Sequence, residues 1–175
     1  MALTGLRIKT GNSSYNKILK KIWDFATDLN PVGDSKYKDG IEHCKRVSVN
    51  LERLMANEIG GKYSIEERFL LSAAASIHDI YKGSCHCMRD HGAVAAVKIS
   101  ELEYLCSGSI LKLIGHIISI HDQGSIRGIP NTSTSIDGQC IFLPRLALLF
   151  KLADMLDCTY KRINTIRLTS GIETS

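Results

Sequence analysis

The sequence predicts an all-α protein, a compact bundle of about six helices. Three observations predict it. Apolar residues recur at helical spacing in segment after segment. Polar stretches containing Gly or Pro punctuate those segments at helix-length intervals. No stretch alternates apolar and polar residues convincingly enough to be read as a half-buried strand. A chain of 175 residues, 44% hydrophobic and 23% charged, suits one helical domain over residues 1–175 with one sizeable core.

The elements follow in order. Tyr15, Ile18, Leu19, Ile22, Ala26 and Leu29 mark a first amphipathic helix, capped by Ser13 or Ser14 and stopped before Pro31. After the polar loop PVGDSKYKDG, a second helix runs from about Ile41 to Ile59 with Val47, Leu51 and Leu54 on one stripe, and Gly60 and Gly61 end it. Ser64 and Glu67 have the spacing of a capping box and open a third helix that reaches His78 or slightly beyond. Asp90 can cap a fourth, from His91 to about Leu105. Ser107 or Ser109 starts a fifth, ILKLIGHIISIHD, and Pro144 suits the first position of a sixth, PRLALLFKLADMLDCTYKRI. Between the last two lies QGSIRGIPNTSTSIDGQCIF, read as a long Gly/Ser/Thr-rich loop of the kind that carries function.

Composition narrows the function classes. The formal net charge is +4, and the basic residues are spread rather than massed. That accords with an anionic substrate and argues against a dedicated nucleic-acid surface. The six cysteines (Cys44, Cys85, Cys87, Cys106, Cys140 and Cys158) are not needed as staples in a chain with a good core. No signal segment opens the chain, since MALTGLRIKTG turns polar early, and no apolar run is long enough to span a bilayer. The expectation is a cytoplasmic protein with reduced thiols.

On these helices several titratable residues fall on apolar stripes. His43 lies in line with Val47, Leu51 and Leu54; His78 with Leu71 and Ala74; His91 with Ala95, Ile99 and Leu102; Asp154 with Leu143, Ala147 and Phe150. A lone His in such a place is ordinarily a core residue bonded to a carbonyl. A buried carboxylate needs a cation or several donors. Four helices doing this together point to a metal site inside the bundle. Mixed nitrogen and oxygen ligands suit Mn, Fe, Co, Ni or Zn, with Mg as a further candidate.

The segments GIEHCKRV, SIHDIYK and LFKLADMLD, in that order, resemble the HD-domain metal-dependent phosphohydrolases. Their signature is a His, an adjacent His-Asp pair and a distant Asp. The resemblance covers about residues 38–163 and implies His43, His78, Asp79 and Asp154 as metal ligands. HDIYK is similar to the family's common HDIGK, with Tyr81 in place of a Gly beside the metal. Many relatives carry a second ion on two further histidines, for which His91 in RDHGAVAAV and His121 in IISIHDQ are the counterparts. One ion or two are therefore expected. The family's His-His-Glu segment here reads His121, Asp122, Gln123. His116 competes with His121, but it lies about 140° away around a helix, so His121 is preferred. CHCMRDH places Cys85, His86, Cys87 and His91 close together, yet Cys-x-Cys without a second pair fits structural zinc poorly. It is read as a loop beside the HD motif, with His86 bordering the site.

The chemistry implied is metal-activated water attacking a phosphate ester, with no Ser or Cys nucleophile. Asp79 is the bridging or water-orienting carboxylate. Lys82 is placed to reach a substrate phosphate, although a solvated helix-terminal Lys is as good a reading. Arg127 in the long loop is a second candidate contact to an anionic substrate, or else a surface Arg. Asp157 is expected beside the ligands, or paired with Lys161 or Arg162, rather than among them. The resulting expectation is a hydrolase acting on a small phosphorylated molecule, a nucleotide above all. The alternatives are a regulatory module of a larger protein and, behind it, a single-strand nuclease, which 6% aromatic residues support poorly.

Overall fold

The computed structural model describes residues 10–29, 40–81, 91–121 and 133–169, with side chains as far as residue 157. Among them the elements run α1 (Ser13–Leu29), α2 (Gly40–Ala56), α3 (Ile65–Ile77), α4 (His91–Lys98), α5 (Gly108–Ile118), strands β1 (Ser133–Ile136) and β2 (Gln139–Phe142), and α6 (Leu143–Thr169). The helical reading holds. The helix α3 is the hub, packing against α1, α2, α5 and α6. It is also the helix buried on every side: every residue from Phe69 to Ile77 is buried. The run LLSAAASI allows this, because Ala and Ser let neighbouring helices approach closely. Its serines lose no hydrogen bond in the core, since Ser72 Oγ donates to Arg68 O at 2.6 Å and Ser76 Oγ to Ser72 O at 2.8 Å.

The caps show how local chemistry sets the ends. Ser64 and Glu67 form the expected capping box: Ser64 Oγ accepts from Glu67 N–H at 3.2 Å, and Glu67 accepts from Ser64 N–H at 2.9 Å. The first helix differs. Its cap is Asn12, whose Oδ1 accepts from the N–H groups of Ser14 and Tyr15, while Ser13 and Ser14 lie inside the helix. The helix α2 stops at Ala56, three residues before the expected end, and the chain turns through Glu58, Gly60 and Gly61, all with positive φ. The fourth helix is shorter than expected, giving way at Ile99 to a 3-10 turn that ends at Leu102. The fifth ends at Ile118, leaving His121 in the turn beyond it. Ser107 holds the cap position there without a capping bond from its side chain. Pro144 is the second residue of α6. The cap assigned to Asp90 falls outside the described residues.

The long loop ahead of α6 contains the main departure. Residues Ser133–Phe142 form an antiparallel hairpin, with Ile136 opposite Gln139 and Ser133 opposite Phe142. Its two-residue turn is Asp137-Gly138, both at positive φ, the dipeptide that suits a tight hairpin. Ile136 and Ile141 anchor it in the core, and Tyr15 Oη donates to Asp137 Oδ2 at 2.5 Å. No described helix is long and apolar enough to cross a membrane.

Candidate metal centre

Three helices and two turns deliver the polar residues of the interior. His43 comes from the first turn of α2, His78 and Asp79 from the end of α3, His91 from the start of α4, His121 from the turn after α5, and Asp154 from the middle of α6. All six are buried, His78 completely. Helix ends and adjoining turns are where backbone can present a ligand without interrupting a helix, and five of the six stand there, Asp154 being the exception.

The six fall into a double cluster. Ligand atoms of His43, His78 and Asp79 lie within 4.8 Å of one another, and so do those of Asp79, His91 and His121. Asp79 is common to both. Its Oδ2 is 3.5 Å from His43 Nε2, while its Oδ1 is 2.9 Å from His91 Nε2 and 3.3 Å from His121 Nε2. Asp154 adds Oδ1 at 3.0 Å from His43 Nε2 and 3.7 Å from His78 Nε2, although it belongs to neither compact triad. His116 is half-buried on the side of α5 and joins neither.

The orientation of the rings decides what such a cluster can hold. His43 Nδ1 faces Asp157 Oδ2 at 2.5 Å, His78 Nδ1 faces Ala75 O at 3.2 Å, and His121 Nδ1 faces Ile118 O at 2.6 Å. Each of those partners is an acceptor, so each Nδ1 carries a hydrogen and donates it. In a neutral ring Nε2 is then a lone pair. The Nε2 atoms nevertheless meet: His43 and His78 at 3.1 Å, His91 and His121 at 2.8 Å. Lone pairs and carboxylates converging in a buried volume need a cation among them. Outward Nδ1 anchors with inward Nε2 atoms are the arrangement by which metal-binding histidines are held. The donor set therefore fits a metal ion of the nitrogen-and-oxygen type.

Electrostatics agrees in direction. Burial alone pushes the His78 imidazole down, but the Asp79 charge, helped by Cys44 and Asp154, outweighs it and lifts the group well above its ordinary value. Burial raises the Asp154 carboxyl, yet hydrogen bonds from His43 and His78 more than reverse this and hold it far below the carboxylate range. Without a metal, the pocket attracts protons for the same reason that it would attract a metal ion.

Asp157 occupies a place that the sequence indicated only in part. It stands beside the ligands as expected; the alternative pairing with Lys161 or Arg162 involves side chains outside the described residues. It accepts from Arg46 Nε at 2.5 Å and Arg46 Nη2 at 3.1 Å while it anchors His43. Burial raises this carboxyl, and Arg46 and His43 together depress it. A groove of about 650 Å³ lies on the outer side of Asp157, lined also by Arg46, Asn50, Arg53 and Leu156; the ligand cluster itself does not line it. Phe150 closes the interior side, edge-on to His78 at 5.3 Å and to His121 at 6.2 Å. Tyr81 places its hydroxyl 3.3 Å from Glu101 Oε2 with Lys98 over its ring. Lys82, Arg127, Asp122, Gln123 and the CHCMRDH segment up to Asp90 fall outside the described residues.

Fold and site together define a helical bundle with a buried His/Asp cluster able to hold a metal ion. Comparisons with family models, with curated proteins and with solved structures return no match. The functional reading therefore rests on the chemistry of the site.

Proposed function

We propose that the protein is a metal-dependent phosphohydrolase of the HD-domain type, cleaving the phosphate ester of a small molecule, with nucleotides as the substrate class. The observation that carries this reading is the convergence of four Nε2 atoms on Asp79 and Asp154, in the chain order by which the sequence resembles that family. In this reading His43, His78, Asp79 and Asp154 hold one ion, and Asp79, His91 and His121 supply the ligands of a second. The metal is of the Mn, Fe, Co, Ni or Zn type, or Mg. When bound, it supplies Lewis acidity toward a phosphoryl oxygen and makes a coordinated water acidic.

The remaining work falls to the chain itself. The Nδ1 anchors on Asp157, Ala75 and Ile118 hold the rings in one tautomer and prevent them from turning. Asp79, whose carboxylate is common to both triads, would be suited to orient the attacking water. Lys82 and Arg127 are assigned to the substrate phosphate by sequence position.

The test begins with metal analysis of the purified chain beside its His78→Ala and Asp154→Ala variants, followed by a phosphate-ester panel with Mn, Co and Ni. Near-stoichiometric metal that both variants lose, with turnover that both abolish, is the expected result. A chain that takes up no metal after reconstitution removes the proposal. Bound metal without turnover on the panel leaves the regulatory-module reading in its place.

A further inference from the structure

We propose that Gly92 is a positioning residue: by leaving out a side chain it lets the His121 imidazole lie against α4, and so sets the spacing of the Asp79, His91 and His121 triad. The inference rests on the metal-site reading above. Its carrier is a steric fact. A Cβ at position 92 would sit 2.7 Å from His121 Cε1, 2.8 Å from His121 Nδ1 and 2.9 Å from Ile118 O. All three are far inside carbon contact distance. Gly92 does not have the positive φ that would demand glycine for conformational reasons, so space is the reason for it.

What would yield is determined by what each neighbour is. Ile118 O belongs to the last turn of α5 and accepts from His121 Nδ1 at 2.6 Å. It is backbone, and moving it shifts the helix. The His121 ring hangs on rotatable bonds and is the part free to swing. Swinging it breaks the Nδ1 bond and carries Nε2 away from His91 Nε2, now at 2.8 Å, and from Asp79 Oδ1, now at 3.3 Å. Close approach is a property of the whole seam, because Gly115 on α5 would place a Cβ 3.3 Å from Ala96 O on α4. That second contact is milder and touches no histidine, which makes Gly115→Ala the natural control.

The experiment uses the full chain, stripped with chelator, in two readouts. Histidine ring signals in ¹H–¹⁵N spectra report the position and tautomer of His121 without any metal. Calorimetric titration with Zn²⁺ and Mn²⁺ reports affinity. In Gly92→Ala the His121 ring signals move while those of His43 stay, and metal affinity falls roughly 10- to 100-fold, the usual cost of disturbing the support of a ligand. Gly115→Ala leaves both readouts near the parent. Unmoved His121 signals in Gly92→Ala, or equal movement in Gly115→Ala, overturn the proposal. If the parent binds no metal, the metal-site reading falls, while the ring signals still decide whether Gly92 positions His121. Should Gly92→Ala not fold, Gly92→Ala/His121→Ala decides. A folded double variant shows that the clash acts through the imidazole, and an unfolded one shows that the Ile118 carbonyl was the obstacle and the proposal is wrong.

Discussion

Asp157 shows how much a single residue outside the ligand set can control. Its carboxylate is held by Arg46 on one side and holds His43 Nδ1 on the other. Asp157→Asn keeps the shape but offers a weaker acceptor, and it removes the charge that favours the Nδ1–H tautomer. Metal affinity should drop about 10- to 100-fold with the helical content unchanged. Calorimetric titration beside circular dichroism checks this, and an unaltered affinity would mean that His43 is held by packing alone. Cys106 gives a second prediction at this scale. Burial pushes its thiol up from 9.0 to about 11. Below pH 9 its alkylation in the folded chain should run roughly a hundredfold slower than in the urea-unfolded chain, because the thiolate is the reactive form. The sign for stability follows: a raised folded pKa contributes fully below pH 9 and is lost as pH rises from 9 through 11. Peptide mass spectrometry after timed iodoacetamide treatment reads the rates. At this scale the sequence was informative about which residues point inward, since His43, His78, His91 and Asp154 share stripes with core residues. It was silent on Arg46 as partner of Asp157, because that contact spans 111 residues and no spacing rule reaches so far.

Elements were legible where a local rule governs them and obscure where tertiary contacts do. The capping box of α3 is entirely local, and it forms as the sequence implies. Ser64→Ala should therefore cost about 1 kcal/mol, read as a lower denaturant midpoint at unchanged slope. A loss of well under half that would show that Glu67 and its pairing with Arg145 secure the helix start by themselves. The hairpin Ser133–Phe142 was missed for the opposite reason. Its strands have only four residues each, and the strand burial patterns place just Ile136 and Ile141 inside, too few to show an alternating period. The signal that was present is the dipeptide Asp137-Gly138, whose positive φ values make the turn. The start of α1 teaches a related lesson. Three candidate caps stand in a row at Asn12, Ser13 and Ser14, and Asn12 takes the position because its Oδ1 reaches two backbone N–H groups.

For the whole molecule, ligands separated by more than a hundred residues meet only when the bundle is closed, so the cluster and the fold should stabilise each other. A metal ion bound to the folded chain and not to the unfolded one adds about 2.7 kcal/mol at a free concentration a hundred times its Kd. For a chain of this size each kcal/mol moves the melting temperature by about 2–4 °C, so the expected rise is roughly 5–10 °C. The same carboxylates and imidazoles that could hold a metal ion also bind protons, and loading would release those protons. The rise should accordingly grow with pH as the raised His78 imidazole gives up its proton, shrink as pH falls, and vanish with chelator throughout. Phe150→Ala serves as the contrasting case. That ring is fully buried against His78 and His121, so its loss should cost about 3–5 kcal/mol in the metal-free chain as well. His78→Ala should instead lower the melting temperature chiefly when metal is present. Calorimetric scans of the parent and both variants, with and without Zn²⁺, separate the two effects. If metal raised the parent and His78→Ala equally, its binding would lie elsewhere on the molecule, and the convergence of imidazoles on Asp79 would be a packing arrangement stabilised by protons.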